Sequence, residues 1–155
     1  MELPKRKQNR LAYYDYSTSN AYFLTVCTAG HKLLFWASED GTLSRYGEMA
    51  KRTILDIPKH YAAITLDHYV VMPNHIHLLL QIQTDADGRR IAAPTISTVM
   101  NQVKGTVSRQ AGFSVWQKGF YDHVIRTDAD YQAIWNYIDG NPSKWKEDKY
   151  HTGNV

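Results

Sequence analysis

Residues 64–83 read Ile-Thr-Leu-Asp-His-Tyr-Val-Val-Met-Pro-Asn-His-Ile-His-Leu-Leu-Leu-Gln-Ile-Gln. The stretch contains two strand-like runs, residues 64–72 and 75–83, which are rich in β-branched and other apolar side chains. Between them stands Pro73-Asn74, a pair of residues typical of turns. The stretch therefore predicts a β-hairpin.

The second run of the hairpin alternates between two faces of the sheet. One face carries only apolar side chains: Ile76, Leu78, Leu80 and Ile82. Residues two apart on a strand share a face, so His75 and His77 lie side by side on the other face, which we expect to be the more accessible one. With their Cα atoms roughly 7 Å apart, two imidazoles can reach one divalent ion. The open alternative is a pair of surface histidines without a role.

Patterns elsewhere in the chain predict the order strand, helix, hairpin, helix, short strand and helix. The predicted elements are apolar runs at strand or helix spacing: a strand at 21–28, a helix at 44–61 that ends near Pro58, a helix at 95–110, a strand at 120–126, and a helix at 128–140 capped by Thr127. This order predicts an α+β fold, a ferredoxin-like βαββαβ sandwich. It has helices on one face of an antiparallel sheet, plus an additional C-terminal helix.

Length and composition restrict the class of protein. The 155 residues predict a single domain, 1–155, in which residues 1–12 form a basic arm. A hydrophobic content of 43% argues against a disordered chain, and a single cysteine excludes an internal disulfide framework. Without a signal peptide or an apolar run of ~20 residues, a cytoplasmic protein with no membrane partner is expected. The formal net charge of +3 permits a nucleic-acid partner.

Tyr137 and Asn141 are four residues apart at the end of the last predicted helix. Their side chains therefore project to one side over successive turns. An amide oxygen is an acceptable ligand for Mg²⁺ or Mn²⁺, and a tyrosine one turn earlier would hold its hydroxyl close to such an ion. The open alternatives are a packed aromatic ring for Tyr137 and a helix cap for Asn141.

Several blocks of sequence, spread over nearly the whole chain, resemble one known family. The blocks are Ala21-Tyr22-Phe23-Leu24-Thr25-Val26-Cys27-Thr28, Met72-Pro73-Asn74-His75-Ile76-His77, Tyr121-Asp122-His123-Val124-Ile125-Arg126 and Tyr137-Ile138-x-x-Asn141-Pro142. Together they resemble the REP-associated tyrosine transposases, a branch of the single-tyrosine HUH transposases. The His-hydrophobic-His motif alone is a weak signal, whereas the ordered set is a strong one.

The resemblance implies a ferredoxin-like fold and a site for Mg²⁺ or Mn²⁺ held by His75, His77 and Asn141. It also implies that Tyr137 is the nucleophile, with Tyr131 and Tyr121 as alternatives. The implied reaction is cleavage and rejoining of single-stranded DNA through a 5′-phosphotyrosine intermediate, the chemistry of DNA transposition. No nucleotide cofactor is expected, because the chain has no Gly-rich phosphate-binding motif.

The implied partner is hairpin DNA formed by palindromic REP-like repeats, which would place the protein at the bacterial nucleoid. The cations expected to contact DNA lie in the arm and in two later segments: Lys5, Arg6, Lys7, Arg10, Lys104 and Arg126. Monomer and homodimer both stay open. The alternative function is a hairpin-binding module without catalysis, derived from a transposase.

Overall fold

The computed structural model describes residues 21–83 and 95–152, in which four antiparallel strands form one sheet. The strands are β1 (Ala21–Cys27), β2 (Ile64–Met72), β3 (His75–Ile82) and β4 (Tyr121–Ile125). Their order in the sheet is β2-β3-β1-β4. The predicted basic arm, with Lys5, Arg6, Lys7 and Arg10, lies outside the described residues.

The helices follow the predicted order along the chain. They are α1 (Arg45–Leu55), α2 (Ile57–His60), α3 (Ile96–Ala111) and α4 (Asp128–Gly140), with 3₁₀ segments at Ala29–His31 and Pro142–Glu147. Ser44, Thr95 and Thr127 each cap a longer helix by accepting a backbone N–H of its first turn. The predicted ferredoxin-like α+β fold, with α4 as the additional helix, is confirmed. Among the residues described, no helix has both the length and the apolar character needed to cross a membrane.

The predicted helix at 44–61 is in fact two helices. α1 ends at Leu55, and Asp56 separates it from the single turn of α2. Pro58 stands in the first turn of α2, where the N–H that proline lacks would have no partner within the helix. Proline therefore helps to begin α2. The longer helix ends at Leu55, close to Pro58 as predicted, whereas the prediction of one helix over 44–61 is wrong.

Helices cover both faces of the sheet, so the central strand β3 is buried along its whole length. α1 packs against both α3 and β2, and the buried side chains of α1 and α3 belong to the same core as Ile76 and Leu78. α4 packs on the face of the histidines, where the ring of Tyr137 lies 5.3 Å from that of His77. His75 is 0% exposed and His77 is 1% exposed. The expectation that this is the more accessible face is therefore wrong, because α4 and the segment after it cover it.

The turn between β2 and β3 is held by the loop that follows β1. The backbone N–H of Thr28 donates to the carbonyl of Asn74 at 2.9 Å, and that of Phe35 donates to the carbonyl of Pro73 at 3.0 Å. Buried backbone groups need such partners, and here they come from a segment distant in sequence. These bonds fix the turn that immediately precedes His75.

Gly47 in α1 touches the backbone of the same loop. A Cβ at position 47 would lie 2.1 Å from the carbonyl oxygen of Phe35, which already accepts the N–H of Ser44. We expect Gly47→Ala to lower the free energy of unfolding by roughly 2 kcal/mol or more, because backbone atoms must shift. Urea denaturation followed by circular dichroism measures this change.

Gly105 in α3 provides the matched control. The nearest neighbour of a Cβ there would be the guanidinium end of Arg109, at 3.1 Å, which can move aside. Gly105→Ala should therefore keep or raise the free energy of unfolding, by up to about 1 kcal/mol from helix propensity. Equal losses of stability in the two variants would contradict the close approach at Gly47.

Candidate active site

His75 and His77 lie side by side on the central strand, beneath α4. Their ring centroids are 4.7 Å apart, and the ring planes are inclined by 72°. In the sheet register His75 is opposite Cys27 and His77 is opposite Thr25. The two imidazoles are close because positions i and i+2 of a strand share one face.

A hydrogen-bond network determines which nitrogen of His75 carries the proton. The side-chain amide of Asn74 donates from Nδ2 to the carbonyl of Tyr150 at 2.7 Å, which leaves its Oδ1 as the acceptor that faces His75. The Nδ1 of His75, 2.8 Å from that oxygen, must therefore be the donor. The Nε2 of His75 then presents a lone pair, and it has no hydrogen-bond partner among the described residues.

His77 is supported in a similar way. Its Nδ1 lies 2.8 Å from the hydroxyl oxygen of Thr25, and Phe23 stacks on its ring at 5.0 Å between centroids. Its Nε2 is buried and finds no partner within residues 21–83 and 95–152. A hydrogen bond at one ring nitrogen is the usual support of a metal-binding histidine, because it orients the other nitrogen.

Burial lowers the pKa of both imidazoles. The pKa of His75 falls to about 2, because burial penalises the charged ring and because His77 would repel it. The pKa of His77 falls to about 3, again mainly through burial, with a contribution from Lys149. Both rings are therefore neutral at pH 7, the form that binds a metal.

Asn141, the residue after α4, lines the same cleft as His77 and is 4% exposed. Its Nδ2 donates to Oδ2 of Asp148 at 3.3 Å, while its Oδ1 is buried without a partner in the described part of the chain. Within that part, no three His, Cys, Asp or Glu side chains form a metal-binding group. The amide oxygen of Asn141 is available as a ligand beside the two imidazoles.

Tyr137 lines an open cleft of about 550 Å³ beside these acceptor atoms. Its side chain is 41% exposed, and its ring lies 5.3 Å from that of His77 and 6.2 Å from that of Phe23. Burial and the carboxylate of Asp148 raise the pKa of Tyr137, while interaction with the amide of Asn141 acts in the opposite direction. The hydroxyl is therefore accessible to a substrate and carries its proton at pH 7.

The two alternative tyrosines differ in position. Tyr131 is 1% exposed, and its hydroxyl donates to Oδ2 of Asp67 at 2.5 Å. Tyr121 is 57% exposed at the start of β4 and lines the same cleft as Tyr137. Tyr131 is thus engaged in a buried hydrogen bond, whereas Tyr121 is accessible.

Tyr150 and Asp148 belong to the same cleft, and sequence reasoning missed both. The ring of Tyr150 lies 4.5 Å from that of His75, and burial raises the pKa of Tyr150 to about 12. The side chain of Asp148 is fully buried, with Oδ2 3.8 Å from Nε2 of His75. Both residues follow Pro142 and lie outside any periodic element, so no spacing rule relates them to the histidines.

Two of the cations predicted to contact DNA are among the described residues. The Nζ of Lys104 donates to the carbonyls of Gln117 and Gly119, each at 2.9 Å, and burial lowers the pKa of Lys104. Arg126 is exposed just after β4. Lys104 therefore supports the loop before β4, and contact of either residue with DNA stays a prediction.

Comparisons with known proteins support the resemblance that the sequence motifs indicate. No protein-family model matches the chain. A protein of Haemophilus influenzae, named provisionally as a REP-associated tyrosine transposase, is 25% identical over 138 residues, which cover 84% of this chain and 74% of that protein. The REP-associated tyrosine transposase of Escherichia coli K12 is 26% identical over 98 residues, which cover 63% of this chain and 54% of that protein.

A solved structure shares the fold. The structure of a REP-associated tyrosine transposase bound to a REP hairpin aligns with a TM-score of 0.63 and 23% sequence identity, covering 85% of this chain and 72% of that one. In sequence and in fold, this chain is similar to the REP-associated tyrosine transposases.

Proposed function

We propose that this chain is a metal-dependent endonuclease and strand transferase, which cleaves single-stranded DNA beside a hairpin through a covalent link to Tyr137. The observation that carries the proposal is a group of three buried polar atoms, unpartnered in the described residues, beside an accessible tyrosine: His75 Nε2, His77 Nε2 and Asn141 Oδ1. Unpaired buried polar atoms cost free energy, so three at one place indicate a ligand. The relatives are named as transposases, and the similar structure holds a REP hairpin; both support hairpin DNA as the substrate proposed here.

The three side chains fit a hard divalent cation such as Mg²⁺ or Mn²⁺. Two neutral imidazoles and one amide oxygen leave coordination positions for substrate oxygens, which a catalytic ion needs. The chemistry that such an ion supplies when bound is polarisation of a phosphate and compensation of negative charge on a phenolic oxygen. That compensation matters here, because the surroundings raise the pKa of Tyr137.

Tyr137 performs the covalent step. Its Oη forms a bond to a phosphorus of the DNA backbone, and the bond from that phosphorus to the 3′ oxygen breaks. The phenolic proton is released, and the departing 3′ oxygen gains a proton to become a hydroxyl. The 5′ end is then held as a phosphotyrosine, which a 3′-hydroxyl can attack to rejoin strands without a nucleotide cofactor.

The lining of the cleft favours an unpaired strand. It combines aromatic rings with cationic side chains: Phe23, Tyr121, Tyr150, Lys144 and Lys149. Aromatic rings of this kind stack on exposed bases, and lysines neutralise phosphates. In a duplex the bases stack on each other, so a duplex offers only its phosphates to the cleft. A single strand offers both its phosphates and its bases.

Replacement of Tyr137 by Phe should abolish covalent attachment to DNA, because it removes only the attacking oxygen. The assay mixes the protein with a labelled hairpin oligonucleotide with a single-stranded flank, drawn from repeats beside its own gene, in Mg²⁺ or Mn²⁺. A denaturing gel measures the protein–DNA adduct. Tyr137→Phe should reduce the adduct to background, whereas Tyr121→Phe and Tyr150→Phe should retain it.

Each of these three variants loses one hydroxyl from the same cleft, so each is a control for the other two. If only Tyr121→Phe or only Tyr150→Phe loses the adduct, the proposed reaction stands, but that tyrosine is the nucleophile instead of Tyr137. Hairpin binding by the wild-type protein without any adduct, in either metal, would instead favour the binding module without catalysis.

Substitutions at the histidine pair should weaken the binding of Mn²⁺. His77→Ala should abolish it, because one of two nitrogen ligands is lost. Thr25→Val keeps the shape of the side chain and removes the hydroxyl that supports Nδ1 of His77. Loss of such support weakens metal binding by roughly 10- to 100-fold. Isothermal titration calorimetry measures both effects, and unchanged affinity in His77→Ala would place the bound ion elsewhere.

A further inference from the structure

Asp148 is a fully buried carboxylate next to the proposed metal ligands. Its side chain is 0% exposed, and Oδ2 lies 3.8 Å from Nε2 of His75. The same oxygen accepts from Nδ2 of Asn141 at 3.3 Å. The other oxygen, Oδ1, accepts the backbone N–H of Tyr150 at 2.8 Å. Asp148 therefore directs one carboxylate oxygen toward the histidines.

The facing atoms of Asp148 and His75 are both acceptors. Asn74 fixes the proton of His75 on Nδ1, so Nε2 presents a lone pair to the carboxylate. Within the described ranges, 21–83 and 95–152, nothing donates a hydrogen bond to Nε2. A buried negative charge that faces a lone pair is unfavourable unless a cation lies between them.

We propose that Asp148 is an anionic ligand of the divalent cation, in addition to His75, His77 and Asn141. The inference rests on the proposed function, because it assumes the cation that those residues would hold. Two ligand atoms that share one ion at ~2.1 Å lie roughly 3 to 4 Å apart. The 3.8 Å between Oδ2 and Nε2 lies in that range. Among the described residues the carboxylate and the two imidazoles do not form a closed metal-binding group, so joint binding of one ion requires at least one of these side chains to move.

A carboxylate ligand changes what the site can bind. The other three ligands, His75, His77 and Asn141, are uncharged. No negative charge of these ligands would therefore compensate the charge of a buried divalent ion. Asp148 lowers that net charge and adds an oxygen ligand, which Mg²⁺ and Mn²⁺ prefer to the softer ligands of copper or zinc. The remaining positive charge is still available to a phosphate.

The backbone around Asp148 keeps the carboxylate in place. The N–H of Asp148 donates to the carbonyl of Trp145 at 3.0 Å. The carbonyl of Tyr150 accepts from Asn74, the same amide that orients His75. Asn74 therefore joins the strand that carries the histidines to the segment that carries Asp148. A side chain supported in this way is pre-organised for binding.

The test compares Asp148→Asn with Glu147→Gln in the full chain, without DNA. The two residues are adjacent, and each substitution replaces a carboxylate by an amide. Glu147 is exposed, whereas the side chain of Asp148 is buried, so Glu147→Gln is the control. Each protein is treated with chelator and then titrated with Mn²⁺ in a calorimeter, which gives the Kd. The Tm is recorded in chelator and in saturating Mn²⁺.

Asp148→Asn should raise the Kd for Mn²⁺ by roughly tenfold or more, whereas Glu147→Gln should keep the wild-type value. In chelator, Asp148→Asn should melt at the wild-type Tm or above it, because the new amide can donate to Nε2 of His75. A carboxylate with only a structural role would give the reverse pattern, a lower Tm in chelator and an unchanged Kd.

The reverse pattern would overturn the assignment of Asp148. If Asp148→Asn binds Mn²⁺ as the wild type does while His77→Ala does not bind it, the metal site stands and Asp148 is not a ligand. If the wild type binds no Mn²⁺, the metal-dependent function and the inference about Asp148 both fail.

Discussion

Two imidazole nitrogens, Nε2 of His75 and Nε2 of His77, are buried at the centre of the sheet without a hydrogen-bond partner in the residues that the structure describes. A flip of either ring would not remove the unpaired nitrogen, because it would break the hydrogen bond that Nδ1 already makes. That bond is to Asn74 for His75 and to Thr25 for His77. A buried polar atom left unpaired costs about 1–3 kcal/mol. This cost is the constraint around which the candidate site is organised, since a bound cation would remove it.

The elements around the histidines supply the other parts of the site. α4 covers the pair and places Tyr137 at the wall of the cleft, and the residue after α4 is Asn141. The segment that follows returns to the turn before β3, where the carbonyl of Tyr150 accepts from Asn74. One asparagine thus orients a histidine and anchors the C-terminal part of the cleft. The geometry of the site therefore depends on this turn as well as on α4.

The sequence predicted those features that depend on local spacing. The hairpin around Pro73-Asn74, the shared face of the histidines and the start of α4 after Thr127 each follow from a pattern within a few residues. The burial of the histidine face did not follow, because it depends on how α4 and the segment after it pack. Asp148 was missed for the same reason, since only tertiary structure brings it to His75. The end of α1 near Pro58 was predicted, but the short helix α2 was missed, because proline can also begin a helix.

If one divalent cation joins His75, His77 and Asn141, crystals of the protein soaked in Mn²⁺ will show it directly. The measurement is anomalous diffraction at a wavelength where manganese scatters strongly. We predict a single strong peak on the α4 side of the sheet, roughly 2.0–2.4 Å from both Nε2 atoms and from Oδ1 of Asn141. A peak elsewhere, or no peak and both Nε2 atoms hydrogen-bonded to protein or water, would contradict a metal centre at this site.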